Sequence, residues 1–205
     1  MPIYHSNTHH NAELINPTHF VGHLFKPDSK IYTRISNLNQ CMVNTFKDDF
    51  TPREYPHVTL VYTGNNINKS HIQQIGRQIN LFKNQLCKFR KLDFYGKTLV
   101  YVFDFENCQY NNSMLELVNS CNSSELESHG DKRLHIAIGK FANNKAKQLF
   151  CDNLMDDVTK LIKGIYSGTY KNTNTNNKIN MNAFTFDNFH LVTVDHLKKY
   201  TATIL

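Results

Sequence analysis

Apolar positions along the chain follow two periods that alternate, and their order comes round twice. The stretch "THFVGHLF" (18–25), ended by Lys26-Pro27, predicts a strand. Asp28 or Ser29 then caps a predicted helix with apolar Ile31, Ile35, Leu38, Met42 and Phe46 at three-four spacing. Thr51-Pro52 stops it, and the strand "HVTLVY" (57–62) follows. After Thr63-Gly64 a second helix carries Ile72, Ile75, Ile79, Phe82 and Leu86 on one face.

The second pass opens on the strand "TLVYVFDFE" (98–106). A helix near 111–122 puts Met114, Leu117, Val118 and Cys121 inward, and the polar loop "NSSELESHGDK" leads to the strand "RLHIAIGKF" (133–141). A helix at 145–162 closes the pass, with Leu149, Leu154, Val158, Leu161 and Ile162 on its apolar side. Runs 88–95, 183–194 and 199–205 read as connecting or edge strands. The asparagine-rich 168–180 segment has no periodicity and reads as a mobile loop. Strand, helix, histidine-strand, helix therefore occurs twice. This predicts one bilobed α+β unit of two similar halves, with residues 1–17 as a flexible N-terminus and 18–205 as a single domain.

Strand alternation decides what the two histidine strands present. In "HVTLVY", His57, Thr59 and Val61 point one way, and Val58, Leu60 and Tyr62 the other, which suits burial against helices. In "LHIAIG", His135, Ala137 and Gly139 share a face opposite Leu134, Ile136 and Ile138. Small residues beside each histidine leave room for a ligand in a cleft between the halves. Two imidazoles meeting there suit phosphodiester cleavage near neutral pH, one removing a proton from the attacking hydroxyl and the other protonating the leaving oxygen. Thr59 can donate to a nonbridging phosphate oxygen. Near either histidine there is no carboxylate cluster with metal-ligand spacing, so no metal is expected.

Composition narrows the partners. The 205 residues carry a formal net charge of +6, with basic residues scattered and only Lys88, Arg90 and Lys91 close together. A small phosphate-bearing nucleotide or short oligonucleotide fits this better than duplex DNA. Five cysteines, Cys41, Cys87, Cys108, Cys121 and Cys151, are odd in number and form no CxxC pair, which argues against a disulfide framework or structural zinc. The opening "MPIYHSNTHHNAELINP" has no signal-peptide layout, and no run reaches membrane-span length. A cytoplasmic compartment without membrane contact is expected. Abundant Asn, Lys, Ile, Tyr and Phe with no Trp is the bias of AT-rich coding sequence, as in parasites and viruses.

His57-Val58-Thr59 and His135-Ile136-Ala137, each on an apolar strand, resemble the paired H-x-[T/S] motifs of the 2H phosphoesterase (LigT-like) superfamily. The likeness runs over roughly residues 18 to 205. It implies two pseudo-symmetric lobes of antiparallel strands with outer helices around a central cleft. It also implies cofactor-free opening or cleavage of phosphodiesters at the ribose 2′ oxygen. Of the substrates open under it, 2′-5′ linked messengers come first (a cGAMP-type cyclic dinucleotide or 2′-5′ oligoadenylate, degraded in a host cytosol as immune evasion if the source is viral), and 2′,3′-cyclic phosphate ends of RNA second. A binding module that holds a nucleotide without turnover is the alternative that Ala137 motivates, because the family usually carries threonine or serine there. Arg133, sharing the His135 face, is the preferred substitute, ahead of Lys140. Tyr55 is the aromatic placed to bind a base, with Phe25, Tyr95 and Phe141 as further platforms. Of the other histidines, His19 and His23 share a strand face and could line the cleft floor. His9-His10, His71, His129, His190 and His196 carry no motif.

Overall fold

A computed structural model describes residues 18–64, 69–121, 134–162, 183–194 and 200–205. The expected terminus 1–17, the 168–180 loop and Arg133 lie outside them. Strand β1 (Thr18–Leu24) forms as the pattern predicts. Ser29 caps helix α1 (Lys30–Phe46), its Oγ accepting from the Tyr32 N–H at 3.3 Å. Ile31, Ile35, Met42 and Phe46 are buried on the expected stripe, which Asn39 joins. Lys47, at φ 48°, ends the helix, and a short 3₁₀ turn leads into β2 (Phe50–Pro52). The sequence pattern marks this segment only as a helix stop.

Strand β3 (His57–Gly64) and helix α2 (Lys69–Ile79) follow. Helix α2 is shorter than the periodicity predicts. Phe82 sits in a 3₁₀ turn, Asn84 takes the left-handed φ of 61°, and Leu86 opens strand β4 (Leu86–Tyr95). A tight turn with Gly96 at φ 60° joins β4 to β5 (Thr98–Phe105). Helix α3 (Cys108–Cys121) buries Met114 and Leu117 as expected.

After β6 (His135–Phe141) the single helix expected at 145–162 is two, α4 (Asn144–Asn153) and α5 (Met155–Ile162), broken at Leu154. Ala146 and Phe150 take the inward positions of α4, and Leu149, expected inward, is exposed. The 183–194 run also divides, into β7 (Ala183–Thr185) and β8 (His190–Val194), and β9 (Tyr200–Ile204) ends the chain. Among the described residues no helix is long and apolar enough to cross a membrane.

These strands form one antiparallel sheet in the order β7-β4-β5-β6-β3-β1-β8-β9. Its halves meet where Val58 of β3 pairs with Ile136 of β6. Farther along the same edge of β6 lies β2, with Phe50 against Phe141 and Pro52 against Gly139. The chain from 50 to 64 thus borders one half before it joins the other. Splitting the 183–194 run follows from this layout, since β7 adds to β4 and β8 to β1, at the two flanks of the sheet.

The duplication reaches down to single residues. β1 pairs with β3 as β5 pairs with β6, and both pairs skip a residue at the same point. Thr59 and Val61 face Gly22 and Val21 with Leu60 left over; Ala137 and Gly139 face Val100 and Leu99 with Ile138 left over. Each bulge lies three residues past its histidine. Because a bulge upsets alternation, Val61, expected on the ligand side, is buried with Leu60 in the main core. The first helix of each pass crosses over. α1 packs on β2 and β6, whereas α3 reaches β3. The core lies on the Val58/Ile136 side of the sheet, under these helices.

Candidate active site

Pairing of Val58 with Ile136 puts both on the helix side of the sheet and turns their neighbours to the other. In that antiparallel register His57 stands across from Ala137 and Thr59 across from His135. The two histidines are diagonal neighbours on one face, with side-chain origins on the order of 7 Å apart. The imidazoles are close enough for the charge of His135 to act on His57.

His57 is buried, and its Nδ1 lies 2.8 Å from the Tyr55 carbonyl oxygen. A carbonyl only accepts, so Nδ1 carries the hydrogen and Nε2 keeps its lone pair. Loss of solvation, with smaller contributions from Arg53 and His135, pushes the imidazole pKa down to about 4 against the Tyr55 hydrogen bond. At neutral pH His57 is therefore an uncharged base. Phe20 stacks on its ring at 4.9 Å, and Tyr200 lies at 5.6 Å. His135 is half-buried, with the Tyr95 ring set edge-on at 4.7 Å.

That burial ties stability to pH. Folded His57 resists protonation down to about 4, whereas the unfolded imidazole takes a proton below its ordinary 6.5. The unfolded state therefore binds more protons in this window, and stability falls as pH drops from 6.5 to 4. At about 1.4 kcal/mol per unit the loss approaches 3 kcal/mol over the whole window. His23, also lowered by burial, adds in the same direction. Urea denaturation at pH 7.5 and 4.5 should show a clearly smaller loss in His57→Gln than in the wild type.

No family model and no curated protein sequence matches the chain. Solved structures do. TT0787 of Thermus thermophilus superposes with a TM-score of 0.54 at 11% identity, over 92% of this chain and 94% of that one. Usb1 of Kluyveromyces marxianus gives 0.51 at 15% identity, over 94% of this chain and 100% of that one. Its structure with uridine monophosphate gives 0.50. The PDE domain of MHV ns2 is a looser likeness, at 0.43 and 15% identity over 62% and 85%. The chain shares its fold with TT0787 and Usb1.

Within this fold, the expected residues fall as follows. His57, Thr59, His135 and Ala137 come together on one face. Thr59 and Ala137 are half-buried and occupy equivalent places beside the two bulges. Tyr55 is exposed, its ring 5.0 Å from Tyr200, and Glu54 raises its hydroxyl pKa by hydrogen bonding and charge. Tyr95 reaches the site through His135, while Phe25 and Phe141 are core residues. Lys140 is exposed beyond the bulge, between Thr51 and Thr98.

His23 does not line the cleft floor. It pairs with Val58, which puts it on the helix side, and its Nδ1 lies 2.7 Å from the Asn188 carbonyl beside Phe25 and Phe186. Among the described residues no three His, Cys, Asp or Glu gather in a metal-holding group. Cys41, Cys87, Cys108 and Cys151 are free thiols.

Three neighbours of the site escape a sequence reading. Phe20 and Tyr200 sit in ordinary strand patterns, and only sheet order brings them to His57. Phe20 is recoverable in part, since it shares strand parity with Gly22. Arg53 lies in the stretch that reads as a helix stop, and no local period marks it.

Proposed function

We propose that the chain is a phosphodiesterase hydrolase that cleaves 2′-5′ linked nucleotide messengers, of the cGAMP type or 2′-5′ oligoadenylate, with His57 and His135 as its acid–base pair. The observation that carries this reading is the Val58–Ile136 pairing, which sets the two imidazoles diagonally on one sheet face. Held neutral with its Nε2 lone pair available, His57 is suited to take the proton of the attacking hydroxyl. As the oxygen–phosphorus bond forms, charge grows on the nonbridging oxygens, where the Thr59 hydroxyl can donate. His135, the less buried of the pair, then gives its proton to the departing ribose oxygen, so the site returns with the proton on the other ring. No step calls for a metal. Usb1, of like fold, has been solved with uridine monophosphate, and the net charge of +6 favours an anionic ligand. Rings of Tyr55 and Tyr200 beside His57 offer a stacking surface for a base.

Purified protein mixed in chelator with 2′-5′ oligoadenylate, 2′-5′ linked cGAMP, a 2′,3′-cyclic nucleotide and a 3′-5′ dinucleotide tests this. The expected result is turnover of a 2′-5′ linked substrate at a rate indifferent to the chelator. Exclusive opening of the 2′,3′-cyclic phosphate would move the substrate to RNA ends. Binding without product on any of them would make the chain a sequestering module, and loss of turnover on chelation would overturn the two-histidine mechanism.

A further inference from the structure

Thr59 places a hydroxyl across the seam from His135, whereas Ala137, across from His57, has none to offer. Arg53 stands next to that gap. Its backbone N–H donates to the Ile138 carbonyl at 2.7 Å, one residue along from Ala137, and Asn39 Nδ2 reaches its carbonyl oxygen at 3.3 Å. The Arg53 backbone is thus fixed between α1 and β6, four positions before His57.

Its side chain is half-buried, with Nε shut off from solvent and lacking a hydrogen-bond partner. No carboxylate among the described residues pairs with it, whereas Lys88, Arg90, Lys91 and Lys160 are engaged with Glu106, Asp104, Asp93 and Asp157. A guanidinium nitrogen left unsatisfied in a buried place costs free energy, which an anionic ligand would recover. Its positive charge is also felt at the His57 ring, as one cause of that ring's resistance to protonation.

We propose that Arg53 donates to a nonbridging oxygen of the scissile phosphate and does the work of the hydroxyl missing at Ala137. This rests on the phosphodiesterase reading above. The guanidinium presents a planar fork of donors to the phosphate, and Arg53 and Thr59 then hold different oxygens of one phosphorus. Neither Lys140, exposed beyond the bulge, nor a residue outside the described segments is required.

Steady-state kinetics on the best 2′-5′ linked substrate test the assignment in Arg53→Gln, Arg53→Lys, Ala137→Thr and the Arg53→Gln/Ala137→Thr double variant, with melting curves as the check on folding. Arg53→Gln should lower kcat about a hundredfold, the scale of losing one preorganised donor, with KM moving less. Arg53→Lys should keep part of the rate. Ala137→Thr should restore at least about tenfold in the Arg53→Gln background, a rescue that a purely structural role for Arg53 would not allow. An active wild type whose Arg53→Gln variant keeps full kcat, or whose double variant is no better than the single, overturns this assignment alone. A wild type inactive on every diester overturns the phosphodiesterase reading and the assignment with it.

Discussion

His135→Ala should lose turnover by about a hundred- to ten-thousandfold while keeping its melting temperature near that of the wild type. General acid–base groups contribute on this scale, and the half-buried ring of His135 leaves little cavity when removed. His57→Ala should lose activity to a similar extent and carry a stability cost as well, because its buried ring stacks on Phe20 and holds the Tyr55 carbonyl. Combining the two should cost little more than either alone, since a base without its acid completes no turnover. Single-turnover product formation with circular dichroism on the same samples measures both parts. A double variant whose losses multiply would mean that each ring acts independently, and the paired mechanism would fail.

The largest expected effect on stability lies at Gly22. A Cβ there would fall 2.2 Å from the Val58 carbonyl oxygen and 3.0 Å from Cε2 of Phe20. Backbone cannot yield as a flexible side chain can, so Gly22→Ala should cost about 3 kcal/mol, the upper part of the range for overpacking. Both displaced groups belong to the site: Val58 forms the seam between halves, and Phe20 is the ring stacked on His57. Gly76 is the internal control. Its nearest neighbour is Leu205 Cβ at 3.8 Å, inside helix α2, where alanine is preferred by about 1 kcal/mol. Urea unfolding of both variants should therefore move in opposite directions. A Gly22→Ala protein as stable as the wild type would show that the β1–β3 contact is looser than described.

Local periodicity was sufficient for most elements, because α1, α2 and α3 each bury one stripe and the histidine strands alternate. Long-range pairing was not visible in it. Nothing in Phe50-Thr51-Pro52 signals a strand until β6 lies beside it. The 183–194 run divides only because its two ends add to strands on opposite flanks of the sheet. Leu149 misled because its spacing suits a continuous helix, while the chain turns at Leu154 and Phe150 fills the core instead. Of the site, His57, Thr59, His135 and Ala137 were legible from parity alone, since the bulges fall after the motifs. Phe20, Tyr200 and Arg53 were not, as each owes its place to partners distant in sequence.

The link between Pro52 and His57 has a counting job. Side-chain direction on an extended chain inverts with each residue gained or lost, and Pro52 and Val58 are both anchored along the same edge of β6. An amino acid added at 53–56 must either bulge out of the link or slide Val58 one place along β6, and the slide would turn the first imidazole toward the helices and strand the second without its counterpart. The spacing of that tether is thus as much a part of the catalytic arrangement as the rings it carries.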